Sequence, residues 1–395
     1  MDRRAFEHRA PDSVAGDGRA GHAFLGLTTT RILLIVLCCC TGIALSDPAS
    51  SDPQYKWQLP PGFPPPAVPA DNPMSDAKVA LGCRLFFETR LSVTRTYSCA
   101  SCHRPELAFT DGRALAIGSK GDTMHRGAMT LTNVAYNPAF TWASGSVVTL
   151  ERQMEQPLFN EHPLEMGLTR DNPELLAWLN GEQSYSAAFR ESFPKEAAPV
   201  SMSNLLKAIA SFERTLISGR SPFDRYVYND DRAAFSESAR RGMRLFYSDR
   251  SGCAHCHFGL NFSGPIVQPG KAPPAPLFAN NGSAVKGDEG LAAETKRPQD
   301  VGRFRVPTLR NVAVTAPYMH DGRFATLEQV IDHYVAGGKH ADAIGTIDSQ
   351  IRPLQLSPEE KGDLVEFLKN LTDETFTANS SCRPPREHQP PGSAP

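Results

Sequence analysis

The chain has 395 residues, of which 40% are hydrophobic and 21% are charged, and its net charge is −2. This length and composition are those of a globular protein with two or three domains. A nearly neutral chain offers no basic field, so no nucleic-acid partner is expected. The 33 prolines cluster at both ends, which predicts a Pro-rich segment over 47–74 and a Pro-rich tail over 376–395.

The N-terminus has the pattern of an export signal. Arg31 precedes an apolar run of about 14 residues, which is shorter than the roughly 20 residues that span a bilayer. Ala44-Leu45-Ser46 has the small-x-small pattern of a cleavage site. The sequence therefore predicts a signal peptide over 1–46, a periplasmic mature protein and no membrane attachment after cleavage. An uncleaved anchor, a lipidated cysteine and a start codon further downstream are the alternatives.

Two copies of the pattern C-x-x-C-H stand in the mature chain. They are Cys99, Cys102 and His103, and Cys253, Cys256 and His257. This pattern is the attachment signature of c-type haem, in which two thiols bond to the porphyrin and the histidine is the proximal iron ligand. A zinc site would need a second C-x-x-C within about 15–20 residues, and a thioredoxin-like pair would leave both histidines unexplained. The sequence therefore predicts two covalently bound c-type haems.

The segments that precede the two motifs resemble each other. Residues 82–87 read GCRLFF and residues 242–247 read GMRLFY, and both have the apolar spacing of a helix. Cys83 then occupies the same apolar packing position as Met243. This repeat predicts two cytochrome-c-like domains, over 75–230 and 231–375, each of which binds one haem.

Each domain needs a further helix that closes its haem pocket. Residues 357–360 read SPEE, which is a capping box with proline at the first helical position. An apolar stripe at helical spacing follows this box, and a similar stripe occurs in the first domain. The stripes consist of Leu364, Phe367, Leu368 and Leu371, and of Leu205, Ile209, Phe212 and Leu216. Since the chain has no convincing run of alternating strands, its fold class is predicted to be mainly α.

Several short motifs accompany the two C-x-x-C-H patterns between residues 75 and 372. They are LG at 81–82, LFF at 85–87, RLS at 90–92, FER at 212–214, VPTLRN at 306–311 and TAPYMHDG at 315–322. As a set they resemble the bacterial di-haem cytochrome c peroxidase and MauG family. The resemblance implies an N-terminal haem that reacts with hydrogen peroxide. It also implies a six-coordinate C-terminal haem that stores or relays the oxidising equivalent.

The resemblance assigns roles to three further residues. Trp142 takes the place of the tryptophan that lies between the haems, and Gln153 and Glu165 match distal-pocket positions. A carboxylate there would pass the proton that peroxide loses to the departing oxygen. Considered alone, Trp142 would be a core side chain and Glu165 a solvated loop carboxylate. Ser119 stands where resting peroxidases carry a blocking histidine, which indicates an open site, although His125 lies nearby in the chain.

The sixth ligand of the second haem separates the branches of this family. Peroxidases carry a methionine 14 residues after the histidine of the P-Y-x-H motif, and the residue at that distance from His320 is Tyr334. The resemblance is therefore closest to the His/Tyr-ligated branch, which includes MauG and the di-haem enzyme of methanobactin operons. A phenolate favours Fe(III) and higher states, whereas methionine raises the potential. A core tyrosine and ligation by His333 are the alternatives.

The resemblance also implies a calcium ion between the haems. Thr315 and Pro317 match its backbone-carbonyl ligands, but Gly127 stands where an asparagine side chain is expected. Because calcium prefers oxygen donors, the loss of one donor weakens the predicted site.

Cys83 and Cys382 are the two unassigned cysteines of the mature chain. In an oxidising compartment they could form a disulfide that ties the tail to the first domain. Two free thiols are the alternative.

Together these features predict an enzyme, a haem-dependent oxidoreductase with peroxide as its oxidant. The favoured function is a MauG-like oxidase, in which peroxide generates a bis-Fe(IV) state that oxidises a Trp or Tyr residue of a periplasmic partner protein at long range. Ser251 stands where MauG has a tryptophan that passes holes to its substrate, so the substrate need not be the same. The alternatives are a cytochrome c peroxidase supplied by a small redox protein and an electron-transfer cytochrome without catalysis.

Overall fold

A computed structural model describes residues 55–340 and 342–378. The predicted signal peptide over 1–46, Cys382 and the tail beyond residue 378 lie outside the described residues. None of the helices in the described ranges is long and apolar enough to cross a membrane.

The described part of the chain is mainly helical, as predicted. Its α-helices are α1 (Asp76–Phe86), α2 (Cys99–Cys102), α3 (Leu150–Phe159), α4 (Pro173–Gly181), α5 (Gln183–Ser192), α6 (Met202–Glu213), α7 (Pro222–Tyr228), α8 (Glu237–Phe246), α9 (Ala292–Thr295), α10 (Leu327–Val335), α11 (Pro358–Lys369) and α12 (Glu374–Thr377). Two short strands, β1 (Phe278–Ala279) and β2 (Phe304–Arg305), pair antiparallel. Single 3-10 turns occupy Thr89–Leu91, Pro105–Leu107, Val134–Tyr136, Arg232–Ala234, Cys253–His255, Pro298–Asp300 and Val312–Val314.

Two helix pairs repeat the same close crossing. Helix α1 packs against α6, and helix α8 packs against α11. A Cβ atom on Gly82 would lie 1.9 Å from the carbonyl oxygen of Ala208, and a Cβ atom on Gly242 would lie 1.9 Å from that of Asp363. Each glycine therefore lets two helix backbones touch. The sequence repeat at 82–87 and 242–247 thus corresponds to a repeated helix crossing.

The helices begin where capping residues predict. Ser357 accepts a hydrogen bond from the backbone N–H of Glu360, whose carboxylate accepts one from the N–H of Ser357. Thr326 and Gln329 form the same reciprocal box at the start of α10. Each box satisfies two N–H groups that a helix leaves without partners. The capping box predicted at 357–360 is confirmed.

Two hydrophobic cores lie behind these helices. The first is built mainly from α1 and α3–α6, and the second from α7, α8, α10 and α11. Both predicted apolar stripes are buried within them. Phe376, near the end of the described chain, packs against Phe109 of the first core at a ring distance of 5.5 Å. The domain boundaries at 75, 231 and 376 stay predictions.

Cys83 and Met243 are buried at matching positions of the two cores. Cys83 is disulfide-bonded. Because Cys382 lies outside the described residues, the pairing of these two cysteines stays a prediction.

The described part of the Pro-rich segment, residues 55–74, packs against the body of the protein. The ring of Phe63 lies 6.2 Å from the ring of Tyr136 and 4.9 Å from the guanidinium of Arg310. Tyr136 donates a 2.7 Å hydrogen bond to the carbonyl of Pro64. An aromatic ring and a backbone carbonyl thus hold this segment against the protein.

Candidate haem sites

The first C-x-x-C-H motif presents two thiols and an oriented imidazole. Cys99 and Cys102 are the ends of α2, and His103 follows directly. The Nδ1 atom of His103 lies 2.9 Å from the carbonyl oxygen of Phe109. Since a carbonyl oxygen can only accept, Nδ1 carries the hydrogen, and Nε2 keeps the lone pair that binds a metal.

The second motif repeats this arrangement. Cys253 lies in a 3-10 turn, and the Nδ1 atom of His257 lies 2.8 Å from the carbonyl oxygen of Phe262. Both acceptor residues, Phe109 and Phe262, have left-handed backbones, with φ of 63° and 50°. Such a conformation is costly for a phenylalanine. It recurs because it aims each carbonyl at its histidine.

The protonation of both motifs suits covalent haem attachment. Burial lowers the pKa of His103 and of His257, which favours neutral imidazoles. The four motif cysteines are free, and burial raises the pKa of Cys102 to about 12 and that of Cys256 to about 11. Within the described ranges, no group of three or more His, Cys, Asp or Glu side chains could hold a metal ion. Free thiols beside neutral imidazoles therefore fit a porphyrin whose iron the histidine binds.

The second motif opens onto a large cavity that Tyr334 also lines. Tyr334 lies on α10, and its hydroxyl accepts a 3.2 Å hydrogen bond from the side-chain amide of Asn281. Burial raises the pKa of Tyr334 to about 12, although this hydrogen bond acts in the opposite direction. The phenol therefore needs a nearby cation, such as a ferric iron, before it ionises.

Asn281 is a site residue that the sequence did not indicate. Its side-chain oxygen accepts hydrogen bonds from the N–H and the hydroxyl of Ser283, which fixes the direction of its amide. The amide nitrogen lies 3.2 Å from the sulfur of Met319 as well as from Tyr334. Met319 also lines the cavity. The side-chain amide of Asn281 thus contacts both the Tyr334 hydroxyl and the Met319 sulfur.

His333, the competing ligand considered from the sequence, is 5% exposed and engaged at both nitrogens. Its Nε2 atom lies 2.9 Å from the backbone oxygen of Asn281, and its Nδ1 atom lies 2.8 Å from Nε2 of His340. His333 therefore holds the backbone of Asn281 in place through a hydrogen bond. This arrangement favours Tyr334 as the ligand.

At the first motif the side chain that the resemblance singles out is a carboxylate, that of Glu165. The loop that carries Glu165 is tied to α3, which carries Gln153, by a 2.9 Å hydrogen bond from Met166 N–H to Pro157 O. Burial raises the pKa of Glu165 to about 6. The charge of Glu165 in turn contributes to the raised pKa of Cys102.

Ser119 lies beside this loop. Its backbone N–H donates a 2.7 Å hydrogen bond to the backbone oxygen of Glu165. His125, the other histidine considered as a blocking ligand, is exposed. Both observations agree with an open first site.

Trp142 lines the cavity at the second motif, and Thr315 and Pro317 do so as well. The indole N–H of Trp142 donates a 2.9 Å hydrogen bond to the carbonyl of Gly127. A Cβ atom on Gly127 would lie 3.0 Å from the carbonyl oxygen of Ala114, so an asparagine there would need the backbone to move. Calcium binding stays a prediction, and with Gly127 the site would lack the side-chain oxygen of the expected asparagine.

Comparisons with known proteins agree with this arrangement. Residues 76–232 match the family model described as di-haem cytochrome c peroxidase. Cytochrome-c peroxidase IdrP1 of Denitromonas iodatirespirans is 35% identical over 92% of this chain and 98% of its own length. The methylamine utilization protein MauG of Methylorubrum extorquens is 34% identical over 78% of this chain and 81% of its own.

A solved structure is also similar. It is a MauG-like protein associated with microbial copper homeostasis, with a TM-score of 0.78 and 38% identity over 82% of this chain and 98% of that one.

The fold, the paired motifs and these relatives define a haem-dependent oxidoreductase that uses peroxide as its oxidant. The chain belongs to the di-haem cytochrome c peroxidase and MauG family. Membership implies two c-type haems, which is the number of C-x-x-C-H motifs present.

Proposed function

We propose that this chain is a MauG-like oxidase, which uses hydrogen peroxide to oxidise a tryptophan or tyrosine residue of a partner protein. The observation that supports this best is that Tyr334 and His257 line one cavity. A phenolic oxygen and an imidazole can therefore ligate the same iron. As a hard anionic ligand, the Tyr334 oxygen favours Fe(III) and higher states. It disfavours electron uptake from a small cytochrome.

In this proposal two c-type haems are attached covalently, one at each motif. The holding residues are Cys99, Cys102 and His103 for the peroxide-reacting haem, and Cys253, Cys256, His257 and Tyr334 for the second. The four free thiols and the two oriented imidazoles support this assignment. When bound, the haems supply peroxide cleavage and store the oxidising equivalents.

The remaining site residues are proposed to serve proton and charge transfer. Glu165 has a pKa of about 6 because of burial, so it can both accept and return a proton near neutral pH. Gln153 lies on the helix tied to the Glu165 loop and would orient peroxide. Trp142, whose indole is held by Gly127, would carry charge between the two sites.

The partner is proposed to be a small periplasmic protein. The family is typically periplasmic, and the predicted signal over 1–46 would direct export. The similar solved structure is associated with microbial copper homeostasis, and we propose a partner protein that takes part in the same process. We propose no nucleic acid partner and no membrane attachment after cleavage. Calcium would use the backbone oxygens of Thr315 and Pro317.

Tyr334→Phe in the two-haem protein tests the proposal. Loss of the phenolic oxygen should convert the low-spin ferric signal to high spin in electron paramagnetic resonance. It should also abolish the peroxide-dependent mass change on a Trp or Tyr of proteins from the periplasmic extract of the source cells. Tyr226→Phe is the matched control, because Tyr226 stacks on Phe235 outside the cavity. An unchanged low-spin signal in Tyr334→Phe would exclude Tyr334 as the ligand.

A second candidate function, a cytochrome c peroxidase, is favoured by the position of Met319. Its sulfur and the Tyr334 hydroxyl lie at the same 3.2 Å from Asn281, so a thioether is also within the cavity. Methionine ligation would raise the potential and favour electrons from a small redox protein. In that case Met319→Leu, and not Tyr334→Phe, would remove the low-spin signal and the turnover of reduced cytochrome c with peroxide.

A further inference from the structure

Two deeply buried arginines have very different surroundings. Arg310 is 1% exposed and donates to both carboxylate oxygens of Asp224, at 3.0 and 2.9 Å. Arg305 is 7% exposed, and no carboxylate of the described chain forms an ion pair with it. Its Nε atom donates to the carbonyl of Thr141 at 3.2 Å, and a terminal nitrogen lies 3.8 Å from the sulfur of Met129.

A buried cation without an anion is unfavourable, because the interior does not replace the water that it loses. Burial lowers the pKa of Arg305 to about 10, so the guanidinium still carries its charge at neutral pH. Arg305 lines the cavity, whereas Arg310 does not. The missing partner of Arg305 is therefore expected on a molecule that occupies this cavity.

The position of Arg305 connects the two motifs. It lies on β2, and its backbone N–H donates a 2.7 Å hydrogen bond to the carbonyl of Trp142. The cavity that Arg305 lines is also lined by His257 of the second motif and by Thr110, which follows the Phe109 carbonyl that His103 binds. An anion bound by Arg305 would therefore belong to a ligand of this cavity, which both motifs border.

We infer that Arg305 binds a haem propionate in the cavity, through charge-assisted hydrogen bonds from its guanidinium. The inference rests on the two haems of the proposed function and is independent of Tyr334. The paired charge would hold the propionate ionised while offsetting its field at the iron. Without Arg305, the uncompensated propionate would favour the ferric state.

The test compares wild type, Arg305→Gln, Arg305→Lys and Arg303→Gln as proteins matured with haem. Arg303 is the matched control, because it is partly exposed, is bound to the Phe278 carbonyl and to Asp348, and does not line the cavity. Haem content is counted as the pyridine haemochrome. The propionate bending band is followed by resonance Raman, and the midpoint potentials by spectroelectrochemistry.

Arg305→Gln is expected to keep two haems, shift the propionate band and favour the ferric form of at least one haem about tenfold, a fall of 59 mV for a one-electron couple. Arg303→Gln should leave the propionate band at its wild-type position. Arg305→Lys keeps the charge but loses the planar fork, so the band should shift while the potentials stay near wild type. If Arg305→Gln does not fold, a wild-type band in Arg305→Lys would overturn the inference.

Two haems in Arg305→Gln with a wild-type band and wild-type potentials would also overturn it. Fewer than two haems in the wild-type protein would instead overturn the proposed function, and this inference with it.

Discussion

The two C-x-x-C-H sites share one side and differ on the other. In both, the histidine of the motif donates from Nδ1 to the carbonyl of a phenylalanine with a left-handed backbone. Beyond this shared side, α10 brings Tyr334 to the second site, where Asn281 binds its hydroxyl. At the first site a loop brings Glu165, and no described residue donates a hydrogen bond to its carboxylate.

This contrast shows which part of the molecule carries each task. The helix crossing and the C-x-x-C-H motif, which carries the two thiols and the histidine, are alike in both sites. Helix α10 and the Glu165 loop bring different side chains to that common frame. In the proposed function, Tyr334 would serve as a ligand at one site and Glu165 as a proton carrier at the other.

Glu165→Gln tests the contrast with the largest expected effect. If Glu165 transfers the proton, the rate of reaction with peroxide should fall about 100- to 10,000-fold, while both ferric spectra stay unchanged. Stopped-flow absorbance at the haem bands measures this rate. Glu161→Gln, an exposed carboxylate in the same loop, is the control and should react at the wild-type rate.

The pH dependence of the rate of reaction with peroxide provides a second test of Glu165. Because burial raises the pKa of Glu165 to about 6, the wild-type rate should fall as the pH drops through about 6 and the base becomes protonated. This limb should be absent in Glu165→Gln. A wild-type limb that persists in the variant would assign the titration to another group.

Gly82→Ala and Gly242→Ala test whether the two crossings are equivalent. Each added Cβ atom would lie 1.9 Å from a carbonyl oxygen, so each variant should lose ~1–3 kcal/mol of unfolding free energy or more. Thermal unfolding measures the loss. Gly362→Ala on α11 is the control, since its Cβ atom would meet nothing within 4 Å. Unequal losses would show that the two crossings differ in rigidity.

Glu213→Gln tests a smaller difference between the two cores, a carboxyl group in one where the other has a leucine. By the spacing of the matching crossings, Glu213 of α6 corresponds to Leu368 of α11. Burial raises the pKa of Glu213 to about 8, from an ordinary 4.5. The folded state therefore holds a proton that the unfolded state releases, and wild-type stability should decline as pH rises from about 4.5 to about 8.

The glutamine variant lacks this titration. Its melting temperature relative to wild type should therefore increase over the same range of pH. Glu191→Gln, an exposed position on α5, should show no such trend. A constant difference between Glu213→Gln and wild type would mean that Glu213 is already ionised in the folded protein.

Local patterns predicted much of this architecture. The C-x-x-C-H spacing predicted two sites whose histidines the structure orients alike, and the capping box at 357–360 began a helix as expected. Asn281 and Arg305 escaped prediction because their contacts are distant in the chain. Asn281 meets Tyr334 across 53 residues, and Arg305 meets Thr141 across 164. No local periodicity indicates that a given arginine will be buried without a carboxylate.

The contact between Phe376 and Phe109 has a consequence for the order of biogenesis. The carbonyl of Phe109 binds His103, and the ring of Phe109 packs against Phe376 of α12, which lies far along the chain from the first motif. If the chain is exported N-terminus first, as the predicted signal over 1–46 implies, its first motif is exposed well before the surroundings of that motif are complete. Haem could then attach to this motif during the interval before α12 packs against Phe109.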